Sequence, residues 1–168
     1  MLSKFINIIP VSLLCGLLLG CASGSLMAAE TEKSLKAFKP ESLEVIRAKY
    51  QGKPFILALW SLDCPPCFKE LKNLAQWKRN YPELNLVFVA TDDYSMKAEV
   101  DWQIKAFGLE LADHWIFSEH AAVRLRYNID PLWHGELPRS YLYDSRHKST
   151  AVSGLLKDKT IQQWVSLR

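Results

Sequence analysis

Cysteine is scarce in this chain: four residues in 168, at positions 15, 21, 64 and 67. Two of them fall in the N-terminal segment. The other two stand three apart and close almost no loop, so a structural disulfide framework is excluded. Beyond the N-terminus, no apolar run approaches the roughly 20 residues that a membrane-spanning helix needs. An excess of one charge is lacking as well. The 21 Lys and Arg against 18 Asp and Glu leave a formal +3, with the basic residues scattered, which argues against nucleic acid as a partner. Internal repeats and low-complexity segments are absent. What remains is ordinary: 49% hydrophobic and 23% charged residues, enough for one domain with a real core.

The N-terminus has its own layout. Lys4 precedes an apolar segment from Phe5 to Leu19, followed by Gly20 and Cys21. This is the pattern of a bacterial secretion signal. Leu18-Leu19-Gly20-Cys21 resembles the lipobox of bacterial lipoproteins, which implies lipid attachment at Cys21 and a signal over residues 1–20. The alternative is an ordinary cleaved signal, cut among the small residues Ala22 to Ser25. Either way the mature protein is expected outside the cytoplasm, in the periplasm or its equivalent. Residues 21–33 are small and polar without apolar period, and read as a tether of about 12 residues reaching on the order of 20 Å. Residues 34–168 form the folded domain.

That domain is organised around Phe55 to Leu71. A nearly continuous apolar run, Phe55 to Trp60, predicts a central strand buried on both faces. A short turn leads to Cys64-Pro65-Pro66-Cys67, and a helix follows to about Asn80, with Phe68, Leu71, Leu74 and Ala75 inward and Glu70 among the outward charges. Before it, Pro40 and Glu41 open a helix carrying Leu43, Ile46 and Tyr50, which Gly52-Lys53-Pro54 stops. After it come a strand over Leu84–Ala90, a helix to about Phe107 that Asp92 and Asp93 precede as strand-end and capping residues, a short strand over His114–Phe117 and a helix over Ser118–Tyr127. A hairpin over Ser140–Tyr143 and Thr150–Leu155 and a closing helix over Lys157–Leu167 complete an α/β fold with a mixed sheet.

The chemistry rests on Cys64 and Cys67. Two cysteines on the first turn of a helix lie side by side, near unpaired N–H groups that favour thiolate. Cys64 is expected to be the nucleophile and Cys67 the residue that resolves the mixed disulfide. A zinc site competes poorly, because two cysteines fill half a tetrahedral shell and no second ligand pair follows. Pro65 and Pro66 offer no N–H and no positive charge, and Asp63 disfavours a neighbouring thiolate. The couple is therefore expected near the reducing end of a range running from about −270 mV to about −120 mV, about 7 kcal/mol in all. Of the tryptophans, Trp77, Trp102, Trp115 and Trp164 read as core or half-buried, and Trp133 as a rim anchor on a loop. The four histidines read as surface or loop residues.

Trp60 to Cys67 resembles the W-x-x-x-C-P-P-C site of TlpA-like (ResA-like) extracytoplasmic thiol–disulfide oxidoreductases, in the thioredoxin superfamily. Gly52-Lys53-Pro54 and Leu137-Pro138 match two further family positions. The resemblance implies a thioredoxin-like fold and a redox-active Cys64–Cys67 disulfide in place of any other cofactor. It implies a cis Pro138 that presents the Leu137 backbone to a partner, and Trp60 beneath the active-site turn as a further substrate-binding position. It also implies reduction of cysteines in exported proteins, apocytochrome c among them, with electrons from a membrane thiol-transfer protein. Two departures stand out. Residues 130–137 are an insertion beside Pro138, and Ala58 replaces the buried Asp that relays protons in thioredoxins. If the insertion carried His134 to the cysteines, a copper-delivery site would form. Disulfide oxidation or isomerisation is the other alternative.

Overall fold

The computed structural model describes residues 34–118 and 122–166, so the signal, the tether and Cys21 lie outside the described residues. Six strands form one sheet in the order β1-β4-β3-β2-β5-β6. β2 (Phe55–Trp60) is central, with β3 (Leu86–Ala90) parallel on one side and β5 (Arg139–Tyr143) antiparallel on the other. β4 (Asp113–Phe117) and β1 (Lys36–Phe38) extend the parallel half, and β6 (Ser149–Ser153) closes the antiparallel half. The sheet is thus mixed, as the sequence predicts.

All six residues of β2 are buried because helices cover both faces. The side chains of Ile56, Ala58 and Trp60 join a core with α2 (Pro65–Asn80), α3 (Lys97–Ala106) and α5 (Asp158–Ser166). Those of Phe55, Leu57 and Leu59 join a second core with α1 (Ser42–Lys49) and α4 (Ala122–Ile129). Alternation along one strand therefore divides the helices into two layers.

Several boundaries differ from the sequence reading. β1 was not expected; its three residues pair with Trp115 to Phe117 and leave no local periodic signal. Ser118 is not the first residue of a helix, because its amide and hydroxyl both donate to the Phe38 carbonyl (3.0 and 2.7 Å) and tie it to β1. α3 is preceded by a 3-10 turn over Tyr94–Met96, capped by the Asp93 carboxylate accepting from the Ser95 amide at 3.0 Å. β3 begins at Leu86, two residues late, since the Leu84 amide is spent on the Tyr81 carbonyl.

At the start of β4 the fully buried Asp113 accepts from Lys36, Lys49 and Tyr50. Burial alone would raise its pKa; the hydrogen bonds of Lys49 and Tyr50 and the two lysine charges bring it down to about 2. His114, next in the strand, is also buried, stacked on Phe88 with Nε2 2.7 Å from the Leu109 carbonyl oxygen. It is a core residue and not the surface histidine expected of it.

Candidate active site

The carboxyl ends of β2 and β3 lie side by side, Trp60 opposite Ala90, and the loops leaving them form the site. The Thr91 amide and hydroxyl donate to the Trp60 carbonyl (2.8 and 3.3 Å). The Leu62 amide donates to both carboxylate oxygens of Asp92 (3.1 and 3.2 Å). Asp92 therefore braces the turn, where the sequence suggested mere strand-end solvation. Burial raises its pKa, the Leu62 amide opposes this, and the charge of Asp63 adds to the rise.

This braced turn delivers Cys64 to the N-cap of α2, with Pro65 and Pro66 on the first helical turn. Prolines are tolerated there because the first N–H groups of a helix have no intrahelical partner. The Cys67 amide donates to the Cys64 carbonyl at 2.9 Å. The two cysteines are disulfide-bonded, with Cα atoms 5.3 Å apart. Cys67 is fully buried, whereas Cys64 keeps 8% of its surface exposed and is the more accessible cysteine of the pair. The Leu137–Pro138 peptide is cis. Because Arg139 pairs with Leu59, the register brings Pro138 to the same end of the sheet as the cysteines, and Leu137 packs against the core that contains both.

One buried acid was misread from the sequence. Glu70, assigned to the outward charges of α2, is only 2% exposed. It lies three residues after Cys67, on the same helix face. Burial raises its pKa from 4.5 to about 7, opposed by the Leu156 amide, which donates to the carboxylate at 3.1 Å, and by the neighbouring Ser140 hydroxyl. That hydroxyl is itself buried and makes no hydrogen bond of ordinary geometry. Ser140 pairs with Ala58 across β2 and β5, so the Glu70 carboxyl, which Ser140 neighbours, lies over the central pair of strands. The available signal was the spacing Cys67, Glu70, Leu71, Leu74, which places the glutamate on the inward stripe.

Other expected site residues take different places. Trp60 is 2% exposed and belongs to the core beneath the turn, so its side chain has no surface to offer a substrate. Trp133 is not a rim anchor: it is buried against the second core, and its indole Nε1 donates to the Glu136 carbonyl at 2.8 Å. The insertion is pinned inward by Asp130, which accepts from the Leu132 amide (2.9 Å), the Arg139 guanidinium (3.0 Å) and the Tyr141 hydroxyl (2.9 Å). His134 is left exposed, and among the described residues no group of three or more His, Cys, Asp or Glu is placed to hold a metal. The grouping of Cys64, Cys67 and His134 that a copper site would need is not formed. Trp102, expected to be at least half-buried, is 68% exposed on α3.

No family model matches the chain, and no curated protein matches it. Solved structures do. A secreted disulfide oxidoreductase of Mycobacterium tuberculosis, homologous to E. coli DsbE, is 20% identical over 72% of this chain and 86% of its own, with a TM-score of 0.56. A thiol:disulfide interchange protein of the thioredoxin family from Chlorobium tepidum TLS is 17% identical over 72% and 83%, with a TM-score of 0.58. StoA from Bacillus subtilis is 22% identical over 68% and 84%, with a TM-score of 0.51. Likeness at this level shows the fold, which is thioredoxin-like.

Proposed function

We propose that the protein is an extracytoplasmic thiol–disulfide oxidoreductase that reduces disulfides of exported proteins. The observation that carries this reading is the Cys64–Cys67 disulfide at the N-terminus of α2, one cysteine partly exposed and the other buried one turn from a carboxyl of raised pKa. The names of the similar structures, disulfide oxidoreductase and thiol:disulfide interchange protein, support it.

In the dithiol form the Cys64 thiolate attacks one sulfur of the partner's disulfide. A Cys64–partner bond forms, and the partner's other sulfur leaves as thiolate and is protonated. Cys67 must then lose its proton, and Glu70, buried one turn further along α2 with a raised pKa, is the acceptor in this reading. The Cys67 thiolate attacks Cys64, releasing the partner's second sulfur and closing the Cys64–Cys67 disulfide. Two electrons have passed to the partner. Two must return, and a membrane dithiol protein is the donor class this reading requires. Anchoring through Cys21 would keep the domain beside such a donor, and the Leu18–Cys21 pattern supports it; the description of the mycobacterial protein as secreted supports a place outside the cytoplasm.

The reduction potential in defined thiol–disulfide buffers tests the direction. A value near or below about −270 mV supports the reductase. A value near about −120 mV would overturn it and make the protein a source of disulfides.

A further inference from the structure

On the far side of the cysteine turn from Pro138, Leu62 and helix α3 enclose a shallow groove of about 480 Å³. Its lining is Leu62, Ala98, Glu99, Trp102 and Gln103. Ala98 and Trp102 are four apart, as are Glu99 and Gln103, so one face of α3 supplies the wall. Trp102 leaves two thirds of its surface in solvent, the largest apolar side chain so exposed in the described residues. An exposed tryptophan with an apolar floor beside it is the composition of a binding hot spot.

Two features say what fits there. Leu62 stands two residues before Cys64, so the groove continues directly from the surface that a partner must cover to reach the sulfur. Acidic groups border it: the exposed Glu99 lines the groove, and the exposed Asp63 follows Leu62 directly in the chain. The cations of α3 are engaged elsewhere, Lys105 with Asp101 at 3.1 Å and Lys97 over the Tyr94 ring at 5.8 Å.

We propose that this groove is the docking site for an extended partner segment bearing a large apolar side chain and a basic residue within a few positions of the cysteine that Cys64 attacks. The inference rests on the exchange chemistry above and adds to it the partner's local sequence. Trp102 covers the apolar side chain, and Asp63 and Glu99 meet the lysine or arginine. Selectivity then resides in flanking residues and leaves the sulfur chemistry untouched.

The test uses single-turnover kinetics of the reduced protein, which needs no external reductant. Three disulfide substrates are compared: a small polar disulfide, a peptide with Leu and Lys beside its cysteine, and the same peptide with Ser and Glu there. The native protein is expected to react with the Leu–Lys peptide about tenfold faster than with the Ser–Glu peptide. Trp102→Ala, at an exposed helical site that tolerates alanine, should abolish that ratio while leaving the small disulfide unchanged. Glu99→Lys should favour the Ser–Glu peptide. Equal peptide rates in the native protein, as when a second copy or the residues before 34 fill the groove, would overturn the docking site but not the chemistry. A Trp102→Ala variant slowed equally on every substrate would overturn it too, since the residue would then act on the cysteines. Failure of the native protein to react even with the small disulfide would overturn the exchange reading and this proposal together.

Discussion

Glu70 links two properties that are usually measured apart. Its carboxyl holds a proton up to about pH 7 in the folded state but only to about 4.5 in an unfolded chain. The folded state therefore binds the extra proton between those values. The stability this contributes is fully present below pH 4.5 and is lost as pH rises through 7, on the order of 3 kcal/mol at about 1.36 per unit. Glu70→Gln keeps an acceptor for the Leu156 amide and removes the titration. In urea denaturation of the disulfide form, the native-minus-variant difference should fall from pH 4 to pH 8; a flat difference would place the carboxyl's pKa at its ordinary value. In rapid-quench kinetics the same variant should release the partner from the mixed disulfide about 100-fold more slowly. The native inflection near pH 7 should vanish with it, which a purely structural change would not produce.

At the scale of elements, the insertion is a built part of the sheet end. Asp130 gathers Leu132, Arg139 and Tyr141, and Arg139 also reaches Glu136 at 3.1 Å and Ser153. Asp130→Ala should speed amide hydrogen exchange across residues 130–137 by at least about tenfold, as loss of one or two such bonds implies, with α2 unaffected. Unchanged exchange would mean that Trp133 and the Glu136 bonds to Arg139 and Ser153 hold the segment without Asp130. The sequence disclosed β2 and α2 nearly to the residue, because a run buried on both faces and an inward stripe after a proline pair are local signals. It concealed β1, whose partner β4 lies far along the chain. Trp133 reads as a rim residue because loops ordinarily face outward; the cluster of Asp130 with Arg139 and Tyr141 of β5 that turns it inward is a tertiary fact. Glu70 was misread because residue type outweighed position, and its raised pKa follows from a burial that no local pattern states.

For the molecule as a whole, both cysteines belong to the core that α2, α3 and α5 share with the sheet, so electron transfer and folding cannot be independent. Oxidising the folded dithiol and oxidising the unfolded one are two edges of a square whose other edges are the unfolding free energies of the two forms. If the folded couple is more reducing than the unfolded chain, the disulfide form must be the more stable by the same amount. Each 30 mV of difference corresponds to about 1.4 kcal/mol. The disulfide form should accordingly melt above the dithiol form, and a lower melting point for it would contradict the reductase reading without any redox buffer in the cuvette. A pair of denaturation curves becomes a voltmeter in which the unfolded chain is the reference electrode.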